Sequence, residues 1–171
     1  MMITIDRICQ TDTFSLDKPT DHSVTSDHVS FYRFIGGNES ETDELINDLQ
    51  LRKDKHDLVI GVFRFPFRYE GKKRTQTATS QYFRMKELCD AVIYFHSDEL
   101  MDMIDASTTI RDAHHIFHSI EEYTINSIKQ IIEETGDVNI DFQDIKSFIY
   151  KFKGPLFIHT IESDSLDEPL K

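Results

Sequence analysis

Tryptophan is absent from the 171 residues, cysteine occurs twice, and basic residues are scarce beside acids, with 19 Lys and Arg against 31 Asp and Glu. The two cysteines, Cys9 and Cys89, stand too far apart to form a CxxC metal knuckle or to suggest a disulfide framework, so they read as reduced thiols. The net charge of -12 argues against nucleic-acid or anionic-membrane binding, because a phosphate surface must be met by clustered Lys and Arg. No apolar run approaches the roughly 18 residues that a membrane span needs. The opening MMITIDRICQ has no apolar stretch behind a basic one, so neither an integral membrane segment nor a secretory leader is expected, and the cytoplasm is the expected location.

What is present suits a soluble globular chain: 39% hydrophobic residues, 13 of them Phe, and 29% charged. The length fits one domain, here placed at residues 29–161. Residues 1–28 precede it as a loop-rich extension carrying Pro19 and many Ser, Thr and Asp, and the acidic tail ESDSLDEPLK, residues 162–171, follows with a disordered composition.

Within the domain, VSFYRFIGG reads as a strand ending in a glycine turn. From Glu41, Leu45, Ile46, Leu49 and Leu51 mark a helix with acid in its first turn and Arg52, Lys53 and Lys55 in its last, which suits its dipole. DLVIGVF (57–63) and DAVIYFH (90–96) are continuous apolar runs of strand length, as expected of strands buried on both faces. A helix over residues 73–88 separates them. From Thr109 to Glu134, apolar positions at Ile110, Ala113, Phe117, Ile120, Thr124, Ile128 and Ile131 predict one long helix, ended by Gly136. A further helix over 142–152 and a last strand PLFIHTI follow. Alternating strands and helices with apolar strands predict an α/β domain with a parallel sheet flanked by helices. Ligands of such sheets bind at the carboxyl ends of the strands, which lead here into three loops expected to converge on one edge, IGGNES, PFRYEG and HSDEL.

GDVNIDFQD, residues 136–144, concentrates Asn139, Asp141 and Asp144 on one short loop. One reading is a capped helix start, with Asp141 as N-cap and both acids favouring the helix dipole. The other is a set of carboxylates able to accept hydrogen bonds from a water.

In this order, the landmarks resemble the FtsZ/tubulin family, specifically the second half of the bacterial FtsZ nucleotide-binding domain. VIGVFRFPFRYEGKKR is similar to the family's VGVVTxPFxFEGxxR, KELCDAVIYFHSDEL to its VDTLIVIPNDxL, and the long helix with GDVNIDFQDIKSFI to its core helix, catalytic loop GLxNxDFxDV and next helix. DHVSFYRFIGGNESET resembles the strand leading to the family's glycine-rich phosphate loop. The resemblance implies a cytoskeletal protein of cell division or filament organisation, with GTP as cofactor. It implies nucleotide contacts at Gly36, Gly37, Glu70 and Arg74, and catalytic roles for Asn139, Asp141 and Asp144, which would orient the water attacking a nucleotide bound to the neighbouring subunit.

The nucleotide side departs from that pattern. Only Gly36 and Gly37 stand where the family has a loop of glycine and threonine, and Asn38, Glu39, Ser40 and Glu41 follow. A carboxylate about 5 Å from a phosphate charge costs roughly 3 kcal/mol at an effective dielectric of about 20. Two such acids facing several phosphate charges would cancel the roughly 8 kcal/mol of a micromolar affinity. The family's base-stacking Phe and base-reading Asp fall on His114 and His118, and its ribose-contacting Asn falls on Ser97. An imidazole cannot accept the paired guanine donors that a carboxylate accepts.

His114, His115 and His118, with Glu122 a turn further on, have metal-ligand spacing but lack an evident fourth ligand, and surface histidines account for the same pattern, so no metal site is assigned. The run Arg64, Arg68, Lys72, Lys73, Arg74 is the only positive cluster; it reads either as an anion or acidic-partner surface or as a solvated loop and helix start. Two functions follow as expectations. One is a non-hydrolysing interaction module that docks its acidic loop on an FtsZ-type partner. The other is a divergent GTPase that self-assembles.

Overall fold

In the computed structural model, the residues described are 29–56, 58–133 and 142–151. Three strands, β1 (Val29–Ile35), β2 (Leu58–Phe65) and β3 (Ala91–His96), form a parallel sheet in the order β1-β2-β3, in register at Val29↔Leu58 and Ile60↔Ala91. The crossovers run through α1 (Thr42–Lys53) and α2 (Lys72–Leu88), and α3 (Ser97–Asp102), α4 (Ile110–Glu133) and α5 (Phe142–Lys151) follow. Two crossovers advancing the same way across the sheet place α1 and α2 on one face, as the fixed hand of parallel connections requires.

Period-2 alternation divides the strand residues between the faces. Tyr32, Phe34, Val59 and Phe63 pack on Leu45 and Leu49 of α1 and on Ala78 and Met85 of α2. Val29, Phe31, Leu58, Ile60 and Val62 pack on Ile125 of α4, with Ile149 of α5 at the margin. Gly61 lets α2 lie close to β2, since a Cβ there would fall 2.6 Å from Met85 Sδ. Asp90 closes the entry to β3: its carboxylate accepts Val59 N at 2.8 Å and its own amide donates to Val59 O at 2.9 Å. Cys89, beside it, is free and buried, with its thiol pushed up to about 12 by burial above all; Cys9 lies outside the described residues.

Three expectations need correction. β3 is only partly buried, and Tyr94 is exposed, because the buried clusters on both faces centre on β1 and β2 and reach β3 only at the partly buried Val92, Ile93 and Phe95. HSDEL is not a loop, since Ser97 opens α3 directly after β3. The long helix expected over 109–134 is present as α4, preceded by Thr109, whose Oγ1 accepts Asp112 N at 3.2 Å and donates to Asp112 Oδ2 at 2.7 Å, and what needs correction is the extent of its buried face. Ala113, Phe117 and Ile125 of its apolar face are buried, whereas Ile110 and Ile131 at its ends are exposed. At 1.5 Å per residue the helix is about 36 Å long, while a seven-residue strand spans about 23 Å, so the ends outrun the sheet. No helix among the described residues is long and apolar enough to cross a membrane. The extension 1–28, the expected last strand and the tail lie outside the described residues.

Candidate functional site

β1 delivers the chain to the carboxyl edge of the sheet, where Gly36 N donates to Arg64 O at 3.0 Å. Both glycines are required by their surroundings. A Cβ on Gly36 would collide with the Phe63 ring and lie 2.9 Å from Ala78; Gly37 has φ 116°, and a Cβ there would fall 2.5 Å from Arg74 Cγ. A side chain is disfavoured at such a φ by backbone sterics alone.

The turn that follows is satisfied from within. Gly37 N donates to Gln81 Oε1 at 2.8 Å, and Gln81 Nε2 donates to Asn38 O at 2.6 Å and Thr42 Oγ1 at 2.9 Å. Asn38 Oδ1 accepts Ser40 N at 3.3 Å and Ser40 Oγ at 2.8 Å, while Asn38 Nδ2 donates to Glu41 Oε1 at 2.6 Å. A short 3-10 turn, Glu39–Glu41, then leads into α1. The two acids expected to crowd this place behave differently. Glu39 is turned outward, pairing with the exposed Lys73 at 3.3 Å. Glu41 is held at the turn, where burial raises its pKa, opposed by the Asn38 hydrogen bond and by Arg74 and reinforced by Glu44.

The loop after β2 supplies the facing wall. Glu70 Oε1 accepts Phe67 N at 2.8 Å and Glu70 Oε2 pairs with Arg74 Nε at 2.8 Å, which holds the Arg74 stem over Gly37. Gly36, Gly37, Glu70 and Arg74, expected together as nucleotide contacts, are thus neighbours. Ser97, expected at a ribose-contacting position, is buried and donates its hydroxyl to Phe65 O at 2.6 Å.

Among the expected catalytic residues, Asn139 and Asp141 lie outside the described residues. Asp144 is exposed in the first turn of α5. Tyr150 of α5 donates to Asp90 Oδ1 at 2.8 Å, which ties this helix to the amino edge of the sheet, whereas Gly36 and Gly37 stand at the carboxyl edge.

Between the glycine turn and α4 lies a cluster of charge that the sequence reading missed. Arg33 Nη1 meets Glu122 Oε1 at 2.5 Å, Arg33 Nη2 lies 3.5 Å from His118 Nε2, Arg64 Nε meets Glu121 Oε1 at 3.3 Å, and His118 Nδ1 lies 4.0 Å from Glu121 Oε2. All five side chains are buried, and the Arg64 guanidinium also sits over the Phe117 ring at 5.6 Å. Burial raises the Glu121 carboxyl pKa against the opposing pull of Arg64 and Arg33.

Two sequence readings fail here. Arg64 belongs to this interior and not to the surface run with Arg68, Lys72, Lys73 and Arg74, because β2 alternation aims it at α4. The histidines are not a surface group either: His118 is fully buried, and His114 lies edge-on to Phe67 and Phe117, its pKa lowered to about 4 by burial first and then by Arg64, His115 and Arg74. No group of three or more His, Cys, Asp or Glu among the described residues is placed to hold a metal ion. The signal for the cluster was available: an arginine inside an apolar strand, and adjacent glutamates on the apolar side of a helix. Gln81 was legible in the same way, as a polar residue three positions after Ala78 and four before Met85 on the core face of α2.

No protein-family model matches the chain. Among solved structures it is similar to FtsZ from M. jannaschii in an empty dimer, with a TM-score of 0.63 and 22% identity over 72% of this chain and 36% of that one. A mutant of the same FtsZ matches with the same TM-score and identity. CetZ from Methanosaeta thermophila matches with a TM-score of 0.51 and 18% identity over 74% of this chain and 34% of that one. The chain therefore has an FtsZ/tubulin-like fold, and it spans about a third of the length of the structures it matches.

Proposed function

We propose that this protein is an FtsZ-like interaction module of cell division or filament organisation. It docks the acidic segment carrying Asn139, Asp141 and Asp144 on the nucleotide face of an FtsZ-type partner, in the cytoplasm, and does not hydrolyse GTP by itself. The observation that carries this reading is the internal satisfaction of the glycine turn. A triphosphate needs free backbone amides at close range, and the Gly37 amide already serves Gln81 while the Glu41 carboxylate sits at the same turn. The residues present do not fit a nucleoside triphosphate in this arrangement. The separation of α5 from the glycine turn supports the docking geometry, since it leaves the acidic end of the molecule to another subunit's nucleotide. The test is sedimentation of FtsZ filaments with GTP, with and without the protein. Co-pelleting or a change in polymer mass is expected, and the absence of both refutes the reading.

A second reading, a divergent GTPase that assembles with itself, is favoured by one observation: Gly36, Gly37, Glu70 and Arg74 remain adjacent. It predicts micromolar binding of a fluorescent GTP analogue, or phosphate release from GTP that Asp141→Ala abolishes. Failure of both removes it.

A further inference from the structure

Gln81 occupies a place in the molecule that ordinary core packing does not explain. It is a fully buried amide on an otherwise apolar helix face between Ala78 and Met85, and its polar atoms are spent on the turn that follows β1. The carbonyl takes the Gly37 amide, and the nitrogen bridges the Asn38 carbonyl and the Thr42 hydroxyl. One side chain thereby joins both sides of the turn, from the last glycine to the first residue of α1, and orients the Gly37 N–H inward to α2. On the outer side, the Arg74 stem lies against Gly37 and is fixed by Glu70.

We propose that Gln81 is the residue that shuts the glycine turn against phosphate-bearing ligands, acting as a built-in occupant of the amide such a ligand would use. This deepens the docking reading above, since it supplies the reason that the protein would present its acidic edge without a nucleotide of its own. The chemistry is a competition for one donor: a neutral amide oxygen at 2.8 Å, already desolvated and covalently tethered, stands in place of a phosphate oxygen. The second bond, to Asn38 O, holds the turn in the conformation that makes the first possible.

Hydrogen exchange read residue by residue on the full chain tests this, together with titration of a fluorescent GTP analogue in the presence of Mg²⁺. In the native protein the Gly37 amide is expected to be protected although it lies in a loop. Gln81→Met keeps the side-chain length but loses both polar ends, and Gln81→Ala also opens the space. Gly37 exchange is expected to quicken by about tenfold or more in both, the equivalent of one net hydrogen bond. Analogue binding is expected to strengthen from native to Gln81→Met to Gln81→Ala.

A native Gly37 amide that exchanges freely overturns the proposal even if neither variant folds. Variants that exchange faster yet bind no more analogue than the native protein also overturn it, because an ordinary buried amide would behave in that way. The filament sedimentation reads the docking function separately: if the native protein fails to pellet while Gln81→Ala gains the analogue, docking is lost and the lock stands.

Discussion

Phe63 and Arg64 are neighbours in β2, both essentially inaccessible to solvent, and they face opposite ways. Phe63 points between α1 and α2, where its ring meets Phe34, Phe65 and Tyr82 at centroid distances of 6.0, 4.9 and 5.6 Å. Arg64 points at α4, where it meets Glu121. Around Phe63 one face of the sheet is therefore held by shape and apolar area, with hydrogen bonds such as Arg52 to Ser30 at its margin, and the other changes from apolar at its amino half to ionic at its carboxyl half. Apolar packing tolerates the loss of a partner by partial collapse. An ionic interior does not, because removing one ion strands the other.

The largest effects follow from breaking either face. Phe63→Ala is expected to cost about 3 to 5 kcal/mol by loss of buried area and creation of a cavity, measured by chemical denaturation. Glu122→Leu is expected to cost a similar amount, about 3 to 5 kcal/mol, by leaving Arg33 without its closest counter-ion. The two faces are distinguished by rescue. Adding Arg33→Met to Glu122→Leu is expected to recover most of the loss, since a packed apolar pair replaces a buried ionic one at little cost, whereas no second substitution across from Phe63 replaces the missing ring. If the double variant is no more stable than the single, the cluster holds the fold by more than this pair.

A smaller effect concerns His114, at the border between the apolar and ionic regions. Its pKa is lowered from an unfolded value near 6.5 to about 4 in the folded protein, so between those values the unfolded chain binds more protons. The contribution is therefore present above about pH 6.5 and lost as pH falls toward 4. With allowance for solvent near a half-buried group, the change is about 1 to 2 kcal/mol, and His114→Phe is expected to flatten stability over that window in thermal melts at stepped pH. An unchanged slope places the acid sensitivity elsewhere. The smallest effect is at the rim, where Lys73→Ala removes an exposed pair with Glu39. It is expected to alter stability by no more than about 0.5 kcal/mol, and a loss of more than about 1 kcal/mol would mean that the turn depends on its surface ions.

Much of this architecture was legible before any coordinates. The apolar runs at 57–63 and 90–96 became β2 and β3, and the helix-period positions Ala113 and Phe117 became part of the buried side of α4, because short-range periodicity is imposed by backbone geometry. Ile125, buried against the sheet, was not among the expected positions. The neighbourhood of Gly36, Gly37, Glu70 and Arg74 also followed from placing two loops at the carboxyl ends of parallel strands. Arg64 was misplaced for a definite reason. In the sequence it stands near four other cations, and what neutralises it, Glu121, is remote along the chain. The histidines were misread likewise, since their burial depends on Phe67 and Arg33 from other elements.

Taken by itself, the sequence determined β1 to β3 and the helices α1, α2, α4 and α5, which glycines end β1, and that acid outweighs base, because these depend on residue type and on spacing of a few positions. Only the tertiary structure decided that Arg33 and Arg64 are interior, that Glu39 is exposed while Glu41 is half-buried at the turn, and that Gln81 takes the Gly37 amide. Each of these is a pairing across distant parts of the chain, and a charged or polar side chain becomes a surface feature or a core contact according to what the fold brings opposite it.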